Sequence, residues 1–198
     1  MSSPGLDSSF SVVTYNILAD CHMEPDWYQY TPDTCRTSLQ RHVAIMAEID
    51  VLQADILCLQ EVGLDYQPYL TTELGHRGYV GDYYPKTLGT MEGVATFFKK
   101  SQFEVVDVVK ISFNEMLKEE CDKRGIDYKS LDCERPHVFL ITKLRHNNSG
   151  RILTIGNIHT VWDTFSQLDV TTLQVRMNTT EIVILFYNIG VSRSVEAV

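Results

Sequence analysis

The sequence predicts an α/β fold of two packed, mostly antiparallel β-sheets flanked by helices, a four-layer α/β/β/α sandwich. Three observations lead there. Short runs of apolar, β-branched and aromatic residues recur along the chain and read as strands. Polar turn sequences, KKSQ at 99–102 and NNSG at 147–150, separate two successive pairs of these runs. Helical periodicity is confined to the stretches between them, which suits helices laid on the outer faces.

Phe10 to Ile17 (FSVVTYNI) is the first strand, and Asp20 to Asp33, with two prolines and Trp27, Tyr28 and Tyr30, is a long loop. Thr31 or Thr34 is placed to cap a helix starting near Pro32 or Cys35. Leu39, Val43, Met46 and Ile49 recur at helical spacing and define its apolar face. Asp55 to Val62 (DILCLQEV) is a nearly continuous apolar run, the mark of a buried central strand. Gly93 to Phe98 and Phe103 to Ile111 form one strand pair, and Val138 to Leu144 with Arg151 to Ile158 a second. Asn114 to Arg135 between them is charged and poor in apolar residues, so a solvated, partly helical excursion is expected. Asp163 to Arg176 reads as a loop entering a helix, while Thr180 to Val198 continues no recognisable element.

Composition bounds the function. The chain has 198 residues, 44% hydrophobic and 22% charged, which is ordinary for one globular domain. A formal net charge of -9 argues against a long sequence-independent grip on nucleic-acid phosphates, which needs clustered Lys and Arg. It is compatible with a metal-dependent nuclease, whose cation supplies positive charge where the phosphate sits. Cys21, Cys35, Cys58, Cys121 and Cys133 show neither CxxC nor Cys/His ligand spacing. Reduced thiols without a disulfide partner are expected. No apolar run approaches a membrane span, and MSSPGLDSSF lacks the features of a secretory signal. The expectation is a cytoplasmic protein with no membrane partner.

Polar residues end four of the apolar runs. Asn16 closes FSVVTYN, Gln60 and Glu61 close DILCLQE, Glu92 stands before GVATFF, and His159 follows RILTIGNI. Strand ends converge on one rim of a sandwich, where chemistry can be gathered from distant segments. Taken singly, each has a plain structural reading. An Asn at a strand end is a turn former, a Glu there is a solvated charge, Glu92 in MEG is a turn residue, and a lone His is structural.

The local sequences around these residues carry a resemblance. TYNILAD (14–20), DILCLQEV (55–62), EGVATFFKKSQF (92–103) and GNIHTVWD (156–163) occur in this order, and LDVTTLQV (168–175) follows. Together they resemble the endonuclease/exonuclease/phosphatase superfamily. Within it they are most similar to the branch of carbon-catabolite-repressor-type deadenylases, nocturnin, the Angel proteins and the 2′,5′-phosphodiesterase. The resemblance covers residues 10 to 176, leaving 1–9 as a disordered start and 177–198 as a divergent tail. It implies a Mg²⁺- or Mn²⁺-dependent phosphodiesterase acting on RNA 3′ ends or oligoadenylates.

By the same resemblance Glu61 binds the metal, and Asn16 orients the phosphate or the attacking water. His159 contacts the scissile phosphate, and Glu92 lies at the rim where the nucleotide enters. The chain departs from the family in reading NIHT where NTHL is common. It also carries neither the GDFN-type segment that activates water nor the SDH-type segment that acts on the phosphate. The domain is therefore expected to be incomplete at its C-terminus, with an unpaired sheet edge and an impaired or absent activity. A non-catalytic RNA- or protein-binding remnant and a phosphatase-type member of the superfamily are the alternative readings.

Overall fold

The computed structural model describes residues 9–24, 26–32, 35–131, 136–159, 182–187 and 193–197. Two sheets stack face to face. The first takes the order β3-β4-β2-β1-β9, from β1 (Phe10–Asn16), β2 (Ile56–Gly63), β3 (Tyr79–Pro85), β4 (Glu92–Lys99) and β9 (Arg193–Ala197). The second takes the order β5-β6-β7-β8, from β5 (Phe103–Ser112), β6 (Val138–His146), β7 (Ile152–Ile158) and β8 (Ile182–Tyr187). α1 (Ser38–Leu52) crosses between the parallel strands β1 and β2, α2 (Gln67–His76) precedes β3, and α3 (Phe113–Arg124) follows β5. The two-sheet α/β architecture expected from the sequence is the one observed. Among the described residues, no helix is long and apolar enough to cross a membrane.

Alternation along β2 explains why its run is apolar throughout. Ile56 and Cys58 pack toward the second sheet, with Val12, Phe98, Phe103, Leu144, Leu153 and Ile155. Leu57 and Leu59 point the other way, into a cluster with Val13, Ile45, Met46, Ile49, Leu70, Leu74 and Phe97 beneath α1 and α2. A strand covered on both faces has no position for a solvated side chain. All eight of its residues are buried. The order is broken once, where the β2–β4 register shifts between Leu59 and Val62 and Glu61 takes a left-handed φ of 54°. This bulge inverts the alternation, so Val62, an even position like Ile56, sits on the helix side with Leu57 and Leu59.

Several sequence expectations are corrected. β4 and β5 follow one another but are not hairpin partners, since β4 pairs with β2 and β3 in one sheet and β5 with β6 in the other. A polar four-residue link allows either a hairpin or a step between layers, and the burial of Phe98 against Phe103 selects the step. α1 begins at Ser38 behind Thr37, later than the Pro32 or Cys35 start. Its buried face is Ile45, Met46 and Ile49, with Leu39 75% and Val43 57% exposed. At about 100° per residue Val43 stands about 120° round the helix from Ile49, whereas Ile45 stands about 40° away. α2 and β3 were not anticipated.

The segment after β5 is a helix with Cys121 as its one buried residue, as expected of a solvated excursion. The apolar stretch EIVILFY supplies β8, which runs parallel to β7, and β9 pairs with β1. β1 and β7 are therefore paired on both sides, and among the described residues β9 and β8 are the outer strands on that side of their sheets. The helix expected over 163–176 lies outside the described residues.

Candidate active site

β1, β2 and β7 bring their ends to one rim, where Asn16, Glu61 and His159 meet, while Gln60 and Glu92 are buried beside it. Asn16 is the last residue of β1, opposite Gln60 in the register. Its side-chain amide donates to Glu61 Oε1 at 2.6 Å, while its Oδ1 accepts from the Leu18 N–H at 2.9 Å. Both ends of the carboxamide are thereby oriented. The Ala19 N–H donates to Glu61 Oε2 at 3.3 Å. His159 follows β7 and places Nε2 3.6 Å from Glu61 Oε1. That separation is too long for a hydrogen bond and leaves the facing edges of imidazole and carboxylate open to a third group.

The backbone makes this meeting possible. The bulge at Glu61 turns its side chain out of the alternation that buries Gln60 between the sheets. The loop after β1 is held by Arg41 of α1, whose guanidinium donates to Asp20 Oδ1 at 2.9 Å, to the Ile17 carbonyl at 3.0 Å and to the Leu18 carbonyl. Leu18 has a φ of 55°, so the loop reverses sharply and presents the Ala19 N–H to Glu61. His42 continues the support, with Nε2 3.0 Å from Asp20 Oδ2 and its ring stacked on Tyr66 at 3.8 Å.

Beneath the rim, a buried amide pair joins the two sheets. Gln60 Nε2 donates to Asn157 Oδ1 at 2.8 Å, and Asn157 Nδ2 reaches the carbonyls of Leu59 at 3.1 Å and Ala95 at 2.9 Å. Gln60 also donates to Thr14 Oγ1 at 3.1 Å. These residues sit one or two positions before Glu61, His159 and Asn16, so the network sets the three strand ends in register.

Glu92 does not lie at the open rim. It is 1% exposed and ion-paired with Lys86, a residue the sequence reading missed, whose Nζ stands 3.3 Å from His159 Nδ1. His22 Nε2 lies 3.7 Å from Glu92 Oε1. Burial raises the Glu92 carboxyl above its ordinary pKa against the lowering influence of Lys86. Burial first, then the Lys86 charge, pushes His159 down to about 4 against the opposing pull of Glu61. The imidazole is therefore neutral at neutral pH. No pattern marks Lys86 in the sequence: a lysine after YYP looks like a strand-end surface charge.

The family resemblance implies a divalent cation, and the donor set fits one. Glu61 keeps 11% of its side chain open, its oxygens each take one hydrogen bond from a neutral donor, and no lysine or arginine pairs with it among the described residues. Among those residues no three His, Cys, Asp or Glu side chains cluster as a metal cage. A hard cation held by one carboxylate, with waters and phosphate oxygens as its other ligands, suits such a site.

A four-layer sandwich with strand-end polar residues around one carboxylate is an architecture shared with known proteins. The model of the Endonuclease/Exonuclease/phosphatase family matches residues 13–119, more than half of the chain, and the chain belongs to this family. Its curated relatives include exoribonuclease subunits. It is 31% identical over 180 residues to the CCR4-Not complex 3'-5'-exoribonuclease subunit Ccr4 of Mycosarcoma maydis, covering 85% of this chain and 27% of that protein. It is 29% identical to the Schizosaccharomyces pombe subunit of the same name, covering 91% of this chain and 28% of that one. The chain thus spans about a quarter of the length of these relatives.

Among solved structures it superposes on ANGEL2, a 2',3'-cyclic phosphatase, in complex with adenosine-2',3'-vanadate. The TM-score is 0.67 at 26% identity, over 78% of this chain and 42% of that one. The human Nocturnin catalytic domain with bound sulfate shares the fold, with a TM-score of 0.61 at 24% identity over 79% of this chain and 52% of that one.

Proposed function

We propose that the chain is a divalent-metal-dependent phosphodiesterase acting on RNA 3′ ends or oligoadenylates. The observation that carries this reading is the convergence of Asn16, Glu61 and His159, from three separate strands, on one partly open carboxylate. Glu61 would hold Mg²⁺ or Mn²⁺. Bound there, the cation supplies charge compensation at the phosphate. Asn16 spends one amide hydrogen on Glu61 and keeps the other for a phosphate or water oxygen. His159, neutral and half-buried, donates to a phosphate oxygen as negative charge develops. The 3'-5'-exoribonuclease relatives and the adenosine-bound ANGEL2 support an adenylate-containing substrate.

Hydrolysis also needs a base or an oriented dipole on the attacking water. No GDFN-like or SDH-like segment occurs in the 198 residues. This polypeptide by itself is accordingly proposed to bind the cation weakly and turn over slowly.

The test uses 5′-labelled oligoadenylates, 3′,5′- and 2′,5′-linked, with Mg²⁺, Mn²⁺ or EDTA, beside Mn²⁺ binding followed by electron paramagnetic resonance. Cation-dependent 3′ shortening and Mn²⁺ binding, both lost in Glu61→Gln, are the expected results. Mn²⁺ binding unchanged by Glu61→Gln would sink the reading. RNA binding without any cleavage would favour the non-catalytic alternative, and rapid turnover would refute the proposed impairment alone.

A further inference from the structure

Two charged side chains near Glu61 pair with each other and form an arrangement of their own. Glu92 opens β4 and Lys86 follows β3, and the two are 1% and 7% exposed. The Lys86 ammonium sits between the Glu92 carboxylate, its ion-pair partner, and Nδ1 of His159 at 3.3 Å. A lysine ammonium offers three N–H donors and no acceptor. Nδ1 must therefore meet it with a lone pair. A neutral imidazole whose Nδ1 accepts carries its proton on Nε2. Nε2 is the nitrogen that faces Glu61 Oε1, 3.6 Å away.

We propose that Lys86, held in place by Glu92, fixes His159 as the Nε2–H tautomer and so makes it a hydrogen-bond donor toward a ligand oxygen beside Glu61. That oxygen is a phosphate's only on the phosphodiesterase reading above, whereas the tautomer belongs to the resting protein. With Nδ1 taken by an ammonium N–H and Nε2 protonated, the ring has no lone pair left for a water proton. His159 is thereby excluded as the base that activates water. Lys86 and Glu92 are positioning residues. Glu92 supplies the countercharge without which Lys86 would be a buried, unpaired cation and would turn toward solvent.

The experiment is long-range ¹H–¹⁵N correlation of the histidine rings in the full chain at neutral pH, without metal or substrate. The His159 pattern is assigned by its disappearance in His159→Gln. The wild type is expected to show an unprotonated, pyridine-type Nδ1 and a protonated, pyrrole-type Nε2. Lys86→Met, similar in shape but without a donor, is expected to move Nδ1 toward the protonated position, and Glu92→Gln to move it part of the way.

A wild-type ring protonated on Nδ1, or on both nitrogens, overturns the proposal, as does a folded Lys86→Met with an unchanged pattern. Should Lys86→Met not fold, the wild-type tautomer alone decides. Because neither metal nor substrate is present, a failed hydrolysis assay leaves this result standing. A wrong tautomer, conversely, leaves the hydrolysis reading intact.

Discussion

Replacing Asn157 with leucine tests whether the buried amide pair holds the two sheets in register. Asn157 is fully buried, and leucine has the same γ-branched skeleton with the same number of heavy atoms, so no cavity is created. Gln60 loses Asn157 Oδ1 but keeps Thr14 Oγ1 at 3.1 Å and the Cys58 carbonyl at 3.0 Å, so both its N–H groups remain served. The cost falls instead on the carbonyls of Leu59 and Ala95, each of which loses a donor in a dry interior. At about 1–3 kcal/mol for each deprived buried group, the loss is about 2–6 kcal/mol. That is a large part of the roughly 5–15 kcal/mol that holds a domain together. With a urea slope of about 2 kcal/mol per molar, the unfolding midpoint should fall by about 1–3 M. A fall below about 0.5 M would refute the reasoning, because it would mean that these carbonyls do not depend on the amide.

Asn157→Asp sharpens the test by separating shape from donor. Aspartate keeps the acceptor toward Gln60, but only its protonated form can donate, and its single O–H serves one of the two carbonyls. Its folded pKa must then lie above its unfolded value of about 3.9. The stability gained from protonation is fully present below that unfolded value and is lost as pH rises through the folded pKa. Measured against the wild type at each pH, the deficit of Asn157→Asp should therefore grow from acid to neutral.

Asp55 accepts from the Ser11 N–H at 2.8 Å and the Ser11 hydroxyl at 2.9 Å and pairs with Lys99 at 3.0 Å, tying β1 to the start of β2. Burial raises its pKa, but these partners outweigh burial and hold it below the usual carboxylate range. Its contribution is present above the unfolded pKa of about 3.9 and lost as pH falls through the folded value, so Asp55→Asn should cost about 1–2 kcal/mol at pH 7 and progressively less in urea titrations run below pH 4. Arg41→Met should release the loop after β1, read as faster amide hydrogen exchange at Leu18 and Ala19, with Mn²⁺ affinity reduced although Arg41 touches no ligand of the cation. Gly93→Ala would place a Cβ 2.3 Å from the Tyr84 carbonyl oxygen and 2.7 Å from Pro85 Cα, both backbone atoms of the paired strand. A loss of about 1–3 kcal/mol in thermal or urea unfolding is expected.

What the sequence disclosed and what it hid divide along physical lines. β2 announced itself because both of its faces are buried and its run is apolar without interruption. β6 and β7 did so because a polar turn separates two β-branched runs that pair directly. β3 gave little signal: YVGDYYP has one fully buried residue, and a half-exposed edge strand carries no alternation to read. α2 was as quiet, with Leu70 and Leu74 as its only buried residues. Asn16, Glu61 and His159 were legible through the motifs around them, and the structure brings them together. Lys86 was not, because its importance comes from burial, and burial of a lysine is set by tertiary partners 6 and 73 positions away. Glu92 was found for the wrong place: the sequence marks a carboxylate beside a strand but not the ammonium that draws it inward.

The left-handed backbone at Glu61 links these threads, since a non-glycine residue in that region carries strain of about 1–2 kcal/mol. The β2–β4 ladder enforces it, because relaxing the bulge would return Val62 to the inter-sheet face and Glu61 to the helix-side core. Comparing Glu61→Gly with Glu61→Ala isolates this strain. Both variants remove the carboxylate and deprive the Asn16 amide equally, so their difference reports the backbone alone. Glycine visits positive φ freely, whereas alanine keeps the clash between Cβ and the carbonyl oxygen. Glu61→Gly should therefore be more stable than Glu61→Ala by about 1 kcal/mol, a urea midpoint higher by about 0.5 M, although neither binds Mn²⁺. If alanine proves equal or better, the backbone does not hold the left-handed turn. Glu61 would then have no fixed direction in which to meet His159, and the geometry from which the metal-site reading is built would be lost with it.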